Sequence, residues 1–192
     1  MSGPVAPDIP RGFAGKIPAR GDFVHAGLPR DFTDPWHDWQ SLVIAGSRTL
    51  MGEAWLDAFL EAPVWRFVLP PGMCGPRAAV GLIMPSVDKV GRYFPLSMAA
   101  LPAGTANADD WSGWLDEAET VGRLALDEDA PPEQLMPPPV PLISGFSGET
   151  MGLWWTDGGP RVAATRLALP ALPDATCFAF MLGHLAPTES AS

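Results

Sequence analysis

The chain has 192 residues, 47% of them apolar, which is enough for one domain with a real core and excludes disorder along its whole length. Net charge is −10, and the excess is confined to the second half: residues 1–100 hold nine acids and nine bases, whereas after residue 100 thirteen acids face only Arg123, Arg161 and Arg166. With no cluster of Lys and Arg to meet phosphates, this balance excludes nucleic acid and an anionic membrane surface as partners.

Residues 1–10 contain three prolines, no cationic segment and no apolar run, so they read as a flexible tail without a signal peptide. Residues 11–16 lead into a short apolar strand, and Pro18 and Gly21 mark a turn before Phe23 and Val24, with Gly21 supplying a backbone geometry closed to other residues. Asp34-Pro35 predicts a helix start, with Asp34 as N-cap and Pro35 in the first turn. Trp36, Trp39, Val43 and Leu50 then share one face. Gly52 breaks this helix, and residues 53–60 form a second one that buries Trp55, Ala58 and Phe59.

From residue 63 the period changes. Residues 64–69, 77–84 and 94–101 are short and apolar, bounded by Pro and Gly, and read as strands. Asn107 caps a helix over 108–126 whose stripe is Trp111, Trp114, Leu115, Ala118, Val121 and Ala125. Asp116, Glu117 and Glu119 are expected to face solvent, in an acidic strip that continues through Asp127, Glu128, Asp129 and Glu133. Residues 130–141 carry six prolines and read as an extended internal linker. Residues 153–156 and 161–167 predict a hairpin around Asp157-Gly158-Gly159. Residues 174–182 predict a last helix that stops at Gly183, and residues 186–192 a second flexible tail. The fold class is α/β of the α+β type: an antiparallel or mixed central sheet flanked by helices, in a single compact domain over residues 11–185.

Motifs for catalysis are missing. His25, His37 and His184 have no zinc-ligand spacing, and no GxxxxGK[ST] or GxGxxG occurs, so no metal or other cofactor is expected. Residues 145–149 resemble a nucleophile elbow around Ser147, but the second glycine is displaced by one position. Cys74 shows no adjacent base, and neither it nor Cys177 lies in a CxxC motif, so both read as packed, reduced thiols. No run of about 18 apolar residues offers a membrane span. The expectation is a cytoplasmic protein that is not an enzyme.

Several ordered segments then become specific. Gly15-Lys16-Ile17-Pro18-Ala19-Arg20-Gly21-Asp22-Phe23-Val24 resembles the opening of the TagF family, as do Trp55-Leu56-Asp57 and Pro63-Val64-Trp65-Arg66-Phe67. The same holds for Cys74-Gly75-Pro76, Gly81 and the long run Met84-Pro85-Ser86-Val87-Asp88-Lys89-Val90-Gly91-Arg92-Tyr93-Phe94-Pro95-Leu96. Leu153-Trp154-Trp155-Thr156-Asp157-Gly158-Gly159 and Leu172-Pro173-Asp174 extend the resemblance to about residues 12–183. It implies an accessory protein of the bacterial type VI secretion system: a post-translational repressor of assembly or firing that binds the system's forkhead-associated scaffold protein. Some relatives carry a fused serine/threonine phosphatase domain; here any such phosphatase is expected on a separate polypeptide. The resemblance supplies no catalytic residues.

Lys16, Arg20, Asp22, Ser86, Asp88, Lys89, Arg92 and Tyr93 are polar or aromatic residues in turn-rich segments, and they form the candidate partner-binding set. Asp22 and Arg92 are expected to share one patch of complementary charge. Two other roles stay open for this set: loop-to-loop hydrogen bonding, and buried Arg–Asp pairs that lock the fold. Two further functions also stay open: a small-molecule binder or hydrolase with a pocket near Cys74 and Ser86, and a structural subunit of the secretion machine.

Overall fold

A computed structural model describes residues 9–104, 107–127, 130–140 and 150–184. Residues 1–8 of the expected tail 1–10, the expected tail 186–192, and Ser147 lie outside the described residues; Ile9 and Pro10 are not a loose tail, since Ile9 packs on the hydrophobic core and the Leu101 N–H donates to the Pro10 carbonyl at 2.8 Å. Seven strands form one open sheet: β1 (Arg11–Gly15), β2 (Val24–Ala26), β3 (Trp65–Leu69), β4 (Ala79–Met84), β5 (Leu96–Ala100), β6 (Gly152–Thr156) and β7 (Thr165–Leu169). Their order is β2-β1-β5-β4-β3-β6-β7, and every neighbouring pair is antiparallel. Helices α1 (Arg30–Met51), α2 (Trp55–Leu60) and α4 (Ala175–Met181) cover one face, and α3 (Ser112–Ala125) covers the other. This is the expected α+β architecture, with the sheet antiparallel throughout.

Double coverage explains why the middle strands read as unbroken apolar runs. Successive side chains point to opposite faces. Phe67, Ile83 and Ala99 therefore pack toward α1, while Val68, Leu82 and Met98 pack toward α3. Every residue of β4 and β5 is buried.

Tryptophan N–H groups tie the layers together. Trp36 and Gln40 of α1 both donate to the buried Ser97 hydroxyl of β5, at 2.9 and 3.0 Å. Trp39 donates to the Pro173 carbonyl at 2.7 Å, and Trp65 to that of Met181 at 3.0 Å. Each bond satisfies a donor that would otherwise be buried unpaired. Helices α1 and α4 meet closely at Gly46, where a Cβ would lie 2.4 Å from that of Ala175.

The structure corrects several expectations. Helix α1 begins at Arg30, one turn before the predicted start, with Pro29 in the cap position and Pro35 inside the helix. Phe32 accounts for the extension: it is buried and stacks on Trp36 at 5.4 Å, so its packing outweighs the hydrogen bond that Pro35 removes. Leu50 is half exposed, because Ser47 and Met51 face inward in the last turns. The helix opened by Asn107 starts with a 3₁₀ turn, Ala108–Trp111, and the Asn107 side chain accepts from the Asp109 N–H at 3.2 Å. The β6–β7 connection is longer than predicted. Gly159 N–H donates to the Val162 carbonyl, and Val162 plugs the α1-side core, so β7 begins only at Thr165. The proline-rich segment 130–140 is a packed strap. Leu135 is buried against the α3 layer, Trp114 donates to the Pro138 carbonyl at 2.9 Å, and Arg11 donates to that of Pro137 at 3.2 Å. At the end of the described chain, Asp174 caps α4 and Gly183 closes it at φ 94°.

Candidate functional site

Two loops meet at one end of the sheet: residues 16–23, between β1 and β2, and residues 85–95, between β4 and β5. The second is a tight turn, closed by the Val87–Tyr93 bridge and by the Asp88 N–H donating to the Arg92 carbonyl at 3.0 Å. Gly91 sits at φ 85°, the left-handed region that glycine enters without a Cβ penalty.

Asp88 organises both loops, and its side chain is fully buried. Its Oδ1 accepts from the backbone N–H groups of Val90 (3.0 Å) and Arg92 (2.9 Å). Its Oδ2 accepts from Lys16 Nζ (2.9 Å) and Arg92 Nε (2.7 Å). Burial by itself pushes the carboxyl pKa up; the hydrogen bonds from Lys16, Arg92 and Val90 outweigh it and hold Asp88 well below the usual carboxylate range. The buried group is therefore an ionised carboxylate with both oxygens satisfied.

The remaining contacts stitch the loops together. The Ser86 hydroxyl donates to the Lys16 carbonyl at 2.6 Å, and the Lys89 N–H donates to the Arg20 carbonyl at 2.9 Å. The Arg92 guanidinium also donates to the Gly21 carbonyl. Beside them Phe23 meets His37 edge-on at 4.9 Å and Phe94 at 5.8 Å, while Tyr93 lies 6.3 Å from Phe59.

All eight residues of the candidate set thus lie in the two joined loops or on their flank; Tyr93 is half-buried, and the other seven take two distinct roles. Ser86, Asp88 and Lys16 are internal, and the Lys16 side chain is only 15% exposed. Arg20, Asp22, Lys89 and Arg92 are exposed. The loops approach as expected, but Arg92 pairs with Asp88 and not with Asp22. Asp22 is exposed, whereas Asp88 lies within the same turn as Arg92 and accepts both its backbone N–H and its Nε. Gly21 is not in the left-handed region, and a Cβ there would meet open space. The position works through its carbonyl, and Gly91 is the conformationally demanding glycine.

Two polar clusters escaped the sequence reading. On the α3 face, Arg66 of β3 pairs with Asp116 at 2.8 Å and Glu119 at 2.9 Å, and Glu119 also holds Arg123 at 2.7 Å. Burial opposes ionisation of Glu119, but the hydrogen bonds from Arg66 and Arg123 prevail and lower its pKa. Glu119 is therefore part of a network and not of a solvated strip; Glu117 is exposed as expected. The signal was Arg66 itself, a lone cation in an otherwise apolar strand. The other cluster is the Ser97 hub.

Cys74 and Ser86 stand at opposite ends of β4, in the loop before that strand and the loop after it. Cys74 is buried, its Sγ lies 3.9 Å from the Phe32 carbonyl, and burial pushes its thiol up to about 12. A small apolar cleft is lined by Phe59, Trp65, Pro85, Phe178 and Met181, and neither Cys74 nor Ser86 lines it. Among the described residues, no group of three or more His, Cys, Asp or Glu side chains is arranged to hold a metal ion, and no helix is long and apolar enough to cross a membrane.

Comparison with known proteins then supplies a context. The family described as "TagF N-terminal domain, Type VI secretion system-associated" matches residues 12–137, a span that runs from β1 through α3 into the proline-rich strap and includes both loops. No curated protein matches the chain by sequence. Among solved structures, the crystal structure of PA0076 from Pseudomonas aeruginosa PAO1 is similar at 33% identity with a TM-score of 0.78, covering 95% of this chain and 99% of that one. That likeness extends to the segment beyond residue 137.

Proposed function

Because this chain belongs to the TagF N-terminal domain family, associated with type VI secretion, we propose that it is a post-translational negative regulator of type VI assembly or firing. It acts by binding the forkhead-associated scaffold protein of that system, in the cytoplasm and without chemistry of its own. The observation that supports this reading is the pair of joined loops. A buried, ionised Asp88 holds two turns in one conformation and leaves Arg20, Lys89, Val90 and Arg92 on the surface. Loops fixed on a sheet in this way are suited to recognition, and arginine beside aromatic side chains is the composition of binding hot spots.

The test is deletion followed by capture. In a deletion strain, secretion of type VI substrates rises while the abundance of the other components stays constant. A pull-down with this chain from a strain with an intact system recovers the scaffold protein. Unchanged or lowered secretion in the deletion strain sinks the regulatory reading, and capture without the scaffold sinks its choice of partner.

A further inference from the structure

The two joined loops form a cationic surface on a strongly acidic protein, and we infer that this surface docks an acidic segment of a protein partner. The inference deepens the proposed function and rests on its claim that the chain acts through a protein; it does not require that protein to be the forkhead-associated scaffold.

Charge is the first argument. The chain carries −10, yet residues 16–23 and 86–93 bring together Lys16, Arg20, Lys89 and Arg92 against Asp22 and Asp88. Of those two carboxylates, Asp88 is fully enclosed and its oxygens are already taken by Lys16, Arg92 and two backbone N–H groups. The outward-facing balance is thus three exposed cations to one exposed carboxylate. The Arg20 and Lys89 side chains make no ion pair among the described residues, while the bond from the Lys89 N–H to the Arg20 carbonyl holds their backbones together. Elsewhere, Arg66, Arg123 and Arg161 are engaged by carboxylates of this chain.

The shape of the surface is the second argument. Val90, at the tip of the turn, is 68% exposed, while the half-buried Tyr93 and Phe23 lie at the base of the joined loops, where Tyr93 bridges Val87 and Phe23 meets Phe94. Desolvated apolar contact beside unpaired cations favours a partner segment that carries carboxylates around an apolar anchor. Because Asp88 already fixes the turn, little ordering is required on binding.

Val90 also provides the experiment. Its side chain points outward, and only its N–H is used by Asp88, so a photo-crosslinking amino acid placed there leaves the cluster intact. Leu124 on α3, 62% exposed, is the matched control on the acidic side. In bacteria with an active type VI system, irradiation should join position 90, and not position 124, to a partner peptide that mass spectrometry shows to be net negative. In extracts, the double variant Arg20→Glu/Lys89→Glu should lower that yield by about tenfold or more at ~0.05 M salt, and by less at ~0.3 M. Its melting temperature should move by less than about 1 °C, since both side chains are exposed. The inference is overturned by no cross-link at position 90 above the level at 124. It is equally overturned by a cross-link to a neutral or basic segment, to nucleic acid or to a second copy of this chain, or by full yield in the double variant. A cross-link through an acidic segment of some other protein supports the inference and removes the scaffold from the proposed function.

Discussion

Replacing Asp88 with asparagine separates the frame of the site from its surface. Asparagine keeps the size of the side chain, and its amide oxygen still accepts from the Val90 and Arg92 N–H groups, at 3.0 and 2.9 Å in the native turn. On the other side an NH₂ replaces the oxygen that faces Lys16 Nζ and Arg92 Nε, so donors confront donors. Lys16, with 15% of its side chain exposed, is left an uncompensated cation. Breaking a buried pair in this way costs about 3–5 kcal/mol; because Arg92 is 58% exposed and rehydrates, the lower end applies, ~3 kcal/mol. For a chain of this size that lowers the melting temperature by roughly 6–12 °C. Acid distinguishes this account from a generic loss of packing. The folded carboxyl titrates below its unfolded value, so its contribution is complete above about pH 4 and is lost as pH falls from there toward the folded pKa. The stability gap between wild type and Asp88→Asn should therefore be flat from about pH 5 to 8 and shrink below about 4. Thermal and urea unfolding followed by circular dichroism across that range measure it. A melting temperature within about 2 °C of wild type, or a gap indifferent to acid, would refute the assignment of Asp88 as the organising group.

Three other substitutions, and one matched control, follow from the structure. Arg92→Glu sets a second carboxylate against Asp88, and should cost about 1–2 kcal/mol, or roughly 2–8 °C in melting temperature, since the guanidinium is more than half exposed; an unchanged melting temperature would mean that the pair is idle. Ser97→Ala removes the acceptor shared by Trp36 and Gln40 and should cost about 2–4 kcal/mol, read as a lower urea midpoint at constant slope; a loss below about 1 kcal/mol would mean that the hub is dispensable. Glu119→Gln should lower stability by about 1 kcal/mol through Arg66 and Arg123, whereas Glu117→Gln should change it by less than ~0.5, and equal effects in chemical denaturation would contradict the network.

Much of the fold was legible because its elements are marked locally. Asn107 and Asp174 announce helices with side chains that do cap them, and Gly183 ends the last one where its positive φ is needed. The apolar runs at β3, β4 and β5 were readable as strands because Pro and Gly bound them. What was misread depends on distant partners. Pro35 marks a helix start by local rules, and only the burial of Phe32 against Trp36 carries α1 a turn further upstream. The proline-rich strap reads as a linker until Leu135 and the Pro138 carbonyl find their places against α3.

The site divides along the same line. Its members could be chosen from sequence, because there charged residues of both signs crowd into glycine- and proline-marked turns beside aromatics. Their division of labour could not be chosen, since one carboxylate differs from another only by what surrounds it. Asp22 and Asp88 both follow the same grammar of a turn beside a strand. Asp22 has solvent for a neighbour, whereas Asp88 meets Lys16 from a loop far away in sequence and becomes the centre of two turns. That difference bears on how binding variants are read. A loss of partner binding on mutating Lys16, Ser86, Asp88 or Arg92 follows equally from a collapsed turn and from a lost contact. Only Arg20, Asp22, Lys89 and Val90 have side chains free enough of the frame for a binding defect at constant stability to report recognition itself.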